Sequence, residues 1–251
     1  MSITCEHYTD KRTFGQAGSD SSNPKSDSWP SARNSISMKG FPMRRAGTRG
    51  ETTWLAIREA AVELIATHGF EGFNLRELAA RCGIKAGSLY NHIESKEGLL
   101  KTLLESIMTD LLQEFDEQVA VIDDPVEQIR AVVRLHILFH TRRRTEVIIG
   151  NTELRSLSPD SHQTITALRD RYENKLRQII SKGAAKGAFR IPDAKITSFA
   201  IIAALTGVGH WYRPNGSLSQ KRLIEIHEQL VLQALGVVDV NVEAASTGVN
   251  A

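Results

Sequence analysis

The sequence predicts an all-α protein: a small N-terminal domain of three helices built around a helix-turn-helix, and a larger helical domain behind it. Three observations predict this. Apolar residues recur at three- and four-residue steps from Glu51 nearly to the C-terminus. The ends of the periodic runs coincide with Asn, Ser, Asp, Gly and Pro residues of the kinds that start and stop helices. No segment alternates apolar and polar residues as a half-buried strand would.

Residues 1–48 precede the first helix. They are rich in Ser, Asn, Gly, Asp and Lys and poor in branched apolar residues, so they cannot bury enough surface to offset the entropy of ordering; a disordered leader is expected. No acidic residue lies between Asp27 and Glu51, whereas Arg33, Lys39, Arg44, Arg45 and Arg49 do. This stretch reads either as a solvated tail or as a basic arm that reaches nucleic-acid phosphate or a minor groove. Met38 and Met43 are alternative starts to Met1.

The first helix carries Trp54, Leu55, Ile57, Ala61, Val62, Leu64 and Ile65 on one face and stops at Gly69. Asn74 is placed to cap a short helix bearing Leu75, Leu78 and Ala79, which Gly83 ends. A second short helix is expected over about residues 86–93, and Ser95 opens a long one from Lys96 toward Val119. Asp124-Pro125 is a cap followed by Pro at the first helical position. A further short helix is expected over residues 142–153, and Ser158-Pro159-Asp160 starts a long one that Gly187 and Pro192 close. Residues 194–212 are apolar nearly all round, which predicts burial on most sides. After the Arg213-Pro214-Asn215-Gly216 turn, the last helix carries Leu223, Ile226 and Leu230. The expected domains are 1–48, a leader with a basic arm; 49–103, the helix-turn-helix domain; 104–236, the larger domain; and 237–251, a loose tail.

Composition is that of an ordinary globular chain, 41% hydrophobic and 24% charged over 251 residues with net charge +2. That balance is too mild to identify a nucleic-acid binder, so where the charge sits matters more. The two cysteines, Cys5 and Cys82, form no metal or disulfide framework, and a reducing compartment, the cytoplasm, is expected. The opening residues lack the apolar core of a signal peptide. The longest apolar run, Phe199 to Val208, is too short for a membrane span and no membrane association is expected.

The informative segment runs from Phe73 to Lys96. Two short helices meet at Cys82-Gly83-Ile84, where the turn needs a positive φ that glycine adopts cheaply. Leu75, Leu78, Ala79, Ile84 and Leu89 pin the helices together, which leaves Lys85, Gly87, Ser88, Asn91 and His92 facing outward. Small and polar residues at this end suit entry into a major groove: Lys85 reaches phosphate or guanine, Ser88 and Asn91 bond base edges or phosphate, and the Tyr90 hydroxyl suits a phosphate oxygen. Lys96 stands at a helix start that favours an anion. Arg44, Arg45, Arg49, Thr52, Asn74 and Ala86 complete the candidate DNA-contacting set. An ordinary helical corner with a solvated face is the rival reading.

The string from Leu89 to Leu99, LYNHIESKEGL, resembles the end of the DNA-binding domain of TetR-family regulators, where the pattern is Leu-Tyr-x-His-Phe-x-Ser-Lys-x-x-Leu. The end of the first helix, Leu64 to Phe70, resembles the family's apolar-Phe-x-x-x-Gly-Phe ending. Ile93 stands for the usual Phe and Asn74 for the usual Thr, each preserving the physical role. The resemblance covers about Thr52 to Leu103. It implies an all-helical homodimer on a palindromic double-stranded operator, released when a small ligand occupies the C-terminal domain and changes the separation of the two recognition helices.

Further on, Glu153 to Leu157, Arg169 to Glu173 and His210 to Gly216 resemble the subgroup whose effectors are often acyl-CoA thioesters. Such a ligand needs an apolar tunnel and cations for its phosphates. Candidate cations are Arg142, Arg143, Arg144, Arg155, Arg169 and Arg171; candidate walls are Leu135, Leu138, Phe139, Ile148, Tyr172, Phe199, Ile202 and Trp211, with ordinary core packing as the rival. Ile201, Leu205, Val208, Leu223, Ile226 and Leu230 are the dimer-interface candidates, with intrachain packing as their rival. His136 and His140 have metal-compatible spacing but no third ligand, which favours a hydrogen-bonded pair. No P-loop, dinucleotide fingerprint, nucleophile elbow or metal triad points to an enzyme or a cofactor. The alternatives are a DNA-binding regulator that responds to another hydrophobic small molecule, and a DNA-binding adaptor with a filled-in body controlled by a protein partner.

Overall fold

The computed structural model describes residues 48–237, and among them runs a succession of α-helices without a strand. Arg44, Arg45, the alternative starts and the expected tail from residue 238 lie outside the described residues, as does the side chain of Arg49.

The first helix, α1 (Thr48–Gly72), is broken at Gly69, whose φ of 70° and ψ of 166° are not helical. Helix α2 (Leu75–Arg81) starts where the Asn74 side chain accepts from the Glu77 amide at 2.9 Å. Gly83, with φ 66°, turns the chain into α3 (Ala86–Leu89). This helix is four residues long, shorter than the periodicity predicts. Beyond it, the amides of Asn91 and His92 donate three residues back, to Ser88 and Leu89. The tightened turn aims Ile93 into the core.

Ser95 caps α4 (Lys96–Gln118), which passes without a break through the expected domain boundary at residue 103. Asp124 accepts from the Val126 and Glu127 amides to open α5 (Pro125–Arg142). There follow α6 (Arg144–Thr152), a 3-10 turn at Leu154–Ser156, α7 (Pro159–Ala185), α8 (Ala194–Trp211) and α9 (Gln220–Ala234). Proline at the first position opens α7, and the Asp193 and Ser219 side chains accept from the first amides of α8 and α9.

The small helices share a core of Ile57, Leu64, Phe73, Leu78 and Leu89, joined by Leu99 and Leu100 from α4. Burial of each such side chain is worth about 1.5–3 kcal/mol relative to exposure, which is what holds helices too short to persist alone. In the larger domain α5 is central and packs on α4, α7, α8 and α9, while α6 bridges α1, α4 and α8.

Helix α8 departs from expectation. It is buried on one side only, through Ser198, Ile201, Leu205 and Val208, while Ile196, Phe199, Ala200, Ala203, Ala204 and Trp211 face outward. Among the described residues no element covers that outer side. None of the described helices is long and apolar enough to cross a membrane.

Candidate functional site

At the helix-turn-helix, Leu89 points inward and the rest of its neighbourhood points out. Lys85, Ala86, Gly87, Tyr90 and Asn91 are exposed, Ser88 and His92 are half-buried, and Thr52 is exposed on α1. Tyr90 shows 58% of its surface, unusual for an aromatic ring in a folded domain. Gly87 is informative. Its φ is not positive, and a Cβ added to it would meet no atom of the chain within 4 Å. Glycine in a helix costs about 1 kcal/mol relative to alanine. Nothing in the packing of the described residues asks for that cost.

Two residues expected to face DNA are engaged elsewhere. Asn74 spends its side-chain oxygen on the α2 cap. Lys96 donates from Nζ to the Glu71 carbonyl at 3.1 Å and lies 4.8 Å from the centroids of both Phe70 and Phe73. It closes the corner against the end of α1 by a cation–π contact, which spacing along the chain does not reveal.

The second feature is a cavity of about 240 Å³ in the larger domain. Its apolar walls come from Leu104, Ile107, Met108 and Leu111 on α4, Phe139 on α5, Val147 on α6, Ile165 on α7, and Phe199 and Ile202 on α8. Of the expected ligand residues, Phe139, Arg169, Tyr172, Phe199 and Ile202 meet here. Leu135, Leu138, Ile148, Arg142, Arg155 and Trp211 do not. Leu135 is buried in the packed core instead, and Trp211 stacks on His227.

The arginine run is also accounted for. Arg142 pairs with Glu114 at 2.5 Å, Arg143 with Asp110 and Glu146, and Arg144 donates to the Gly209 and His210 carbonyls at the end of α8. Arg155 and Arg171 are exposed away from the cavity. Arg169 is different. It lines the cavity, and its Nη2 donates to neutral acceptors only, the Gly150 carbonyl at 2.7 Å and the Asn151 side-chain oxygen at 3.3 Å. Burial pulls its pKa down.

A polar cluster sits on the cavity wall. The His136 and His140 rings stack with centroids 3.8 Å apart. His140 Nδ1 donates to the His136 carbonyl at 2.9 Å. His136 Nδ1 lies 3.0 Å from the Tyr172 hydroxyl and its Nε2 lies 3.2 Å from the Thr206 hydroxyl. Burial, reinforced by the neighbouring His140, holds His136 well below the usual imidazole range, and burial takes His140 down to about 4. Burial pushes the Tyr172 phenol up, so it keeps its proton. All three are therefore neutral near pH 7. Among the described residues no group of three His, Cys, Asp or Glu could hold a metal ion. The legible signal for this cluster was two histidines on the otherwise apolar face of α5. Nothing in the sequence pointed to Thr206.

The corner and the cavity are joined by α6. Val147, Gly150 and Asn151 line the cavity, while Glu146, one residue earlier, accepts from Arg58 of α1 at 2.8 Å. Burial pushes the Glu146 carboxyl up, but Arg143 and Arg58 outweigh it and leave the pKa lowered, so the link stays ionised. A second link runs from the Ser158 amide at the start of α7 to Glu97 in the first turn of α4.

An exposed helix-turn-helix carried on a helical body with a largely apolar cavity defines a DNA-binding regulator rather than an enzyme. Residues 57–103 match the family model described as bacterial regulatory proteins, tetR family, and residues 122–235 match tetracyclin repressor-like, C-terminal domain. The chain belongs to the TetR family of transcriptional regulators. It is 26% identical over 194 residues to the HTH-type transcriptional repressor KstR2 of Mycolicibacterium smegmatis, covering 76% of this chain and 92% of that one. A solved tetR-family regulatory protein from Rhodococcus RHA1 superposes with TM-score 0.69 at 26% identity, over 74% of this chain and 98% of the other. The structure of AibR in complex with isovaleryl coenzyme A and operator DNA matches with TM-score 0.66 at 29% identity, over 74% and 100%.

Proposed function

We propose that this chain is a homodimeric repressor of the cytoplasm that binds a palindromic operator through residues 49–103 and is released when an acyl-CoA thioester occupies the domain formed by residues 104–236. The cavity carries the reading. It is apolar on most walls, it has one arginine whose charge meets only neutral groups, and it abuts the helix that holds α1. At about 240 Å³ it is smaller than the usual ligand pocket, so it takes the acyl part while the coenzyme lies outside. The likeness to AibR, solved with isovaleryl coenzyme A, supports the ligand class. An empty space of this kind also argues against the adaptor with a filled-in body.

On the DNA side, Lys85, Gly87, Ser88, Tyr90, Asn91 and His92 form the groove-facing patch, with Arg44, Arg45 and Arg49 as the flanking arm. Thr52 and Ala86 border it. Asn74 and Lys96 position the corner rather than touch bases.

The dimer surface moves from where the sequence suggested. Ile201, Leu205, Val208 and Leu223 are at most 4% exposed within the single chain, so their burial needs no partner. Of the expected residues Ile226 and Leu230 of α9 stay, and the outer side of α8, with Phe199, Ala200, Ala203, Ala204 and Trp211, joins them. Gly207 supports this, since a Cβ there would meet nothing within 4 Å. Small residues on an uncovered helix let a second copy approach closely.

A ligand wedged between α4, α6 and α7 would shift α6 and, through Glu146 and Arg58, the tilt of α1 and its recognition helix. The test is a gel shift with the full chain and the DNA upstream of its own gene, titrated with isovaleryl-CoA. Retarded DNA that is freed by the thioester, with binding that falls steeply with salt, is the expected result. Binding that no thioester alters would overturn the effector assignment and leave the DNA-binding assignment standing.

A further inference from the structure

The cavity is not purely apolar, and the way its polar atoms are spent restricts what fits. His140 is 95% buried by its 5% exposure and lines the cavity. Its Nδ1 faces a carbonyl oxygen, which can only accept, so Nδ1 carries the proton. A neutral imidazole protonated there has a lone pair on Nε2. Among the described residues that atom has no hydrogen-bond partner, and it is not one of the sealed, unsatisfied atoms of the core. It opens on the cavity as an acceptor.

The neighbouring donors can be counted as well. His136 holds one ring proton between two hydroxyls. If the proton is on Nδ1, Tyr172 accepts it and Thr206 donates to Nε2, which leaves the Tyr172 proton unspent. If it is on Nε2, Thr206 accepts, Tyr172 donates to Nδ1, and the Thr206 proton is unspent. In both tautomers one hydroxyl proton remains for a ligand. The stacked rings keep this donor near the His140 acceptor.

A plain hydrocarbon chain would leave the acceptor dry and unpaired, which is costly in a buried site. We propose that the natural effector bears a hydroxyl on its acyl chain, donated to His140 Nε2, beside a carbonyl that accepts from Tyr172 or Thr206. This rests on the thioester reading above. It goes further in naming a hydroxyacyl thioester over its saturated parent, as would be met at the hydration or ketone-reduction stage of an acyl chain's metabolism.

The experiment is calorimetric titration of the full chain with butyryl-CoA and with its α- and β-hydroxy derivatives, repeated on His140→Leu and His140→Gln. One of the hydroxy thioesters should bind the unsubstituted protein about tenfold tighter than butyryl-CoA. His140→Leu should level the pair, and His140→Gln, whose amide oxygen can accept, should restore the preference. If the leucine variant does not fold, the comparison in the unsubstituted protein decides alone. Equal or weaker binding of both hydroxy derivatives overturns the inference and leaves the thioester reading intact. Binding of none of the three overturns both.

Discussion

The recognition corner and the effector cavity use polar groups in opposite ways. At the corner Lys85, Ser88, Tyr90 and Asn91 stand at the surface around a bare glycine, held in place by the apolar residues beneath them. In the cavity His136, His140 and Tyr172 are taken out of water, kept neutral by burial, and tied to one another. A surface that must find many phosphates gains from solvated charge and screening-sensitive attraction. A site that must choose one small molecule gains from desolvated groups that penalise a poor match. In the proposed function the same chain keeps its affinity for a polyanion at the corner and its selectivity at the cavity.

The largest expected effect is on stability in acid. The ordinary histidine pKa is 6.5, and His140 in the folded protein lies at about 4 with His136 also lowered. Between these values the unfolded chain binds more protons than the folded one. Stability is therefore full above pH 6.5 and falls as pH drops toward 4. His140 alone should contribute a loss of about 3 kcal/mol. Urea unfolding at neutral pH and near the bottom of that window measures it. A His140→Gln variant should lose much of the slope, and an unchanged slope would remove the contrast between buried neutral histidines in the cavity and solvated groups at the corner.

Next is Gly87→Glu. The side chain meets nothing in the protein, so thermal stability should hold or rise, while operator affinity measured by fluorescence anisotropy should drop about a hundredfold. Unchanged affinity would mean that the outward face of α3 does not approach DNA.

Arg169→Leu probes the cavity. Removing the one cavity arginine that meets only neutral groups should weaken isovaleryl-CoA about tenfold by calorimetry, and the operator affinity of the unliganded protein should stay the same. Smallest is Asn74→Ala, which removes the cap on α2 at a cost of about 1 kcal/mol in urea unfolding, with a minor loss of DNA affinity.

The corner was legible in the sequence because its determinants are local. Asn74 and Ser95 each cap an amide three residues on, and Gly83 supplies the one positive φ that the turn needs. The string from Leu89 to Leu99 carried the family with it. What was not legible depends on distant partners. Arg58 and Glu146 are 88 positions apart, and the pairing of Arg142 with Glu114 spans 28. An arginine run looks the same whether it faces a coenzyme or a neighbouring carboxylate. The cavity walls come from five helices, so Thr206 and Met108 had no reason to be linked to Tyr172. Helix α8 misled for a related reason. An apolar surface all round predicts burial, but not whether the cover comes from the same chain.

In the proposed function corner and cavity are coupled, and linkage gives the most direct test. Isovaleryl-CoA should be titrated by calorimetry into the free protein and into the protein saturated with operator. Weaker binding to the DNA complex is expected, by the same factor by which the thioester weakens DNA binding. Equal affinity in the two titrations would contradict it, since a ligand that binds both states alike cannot release the operator.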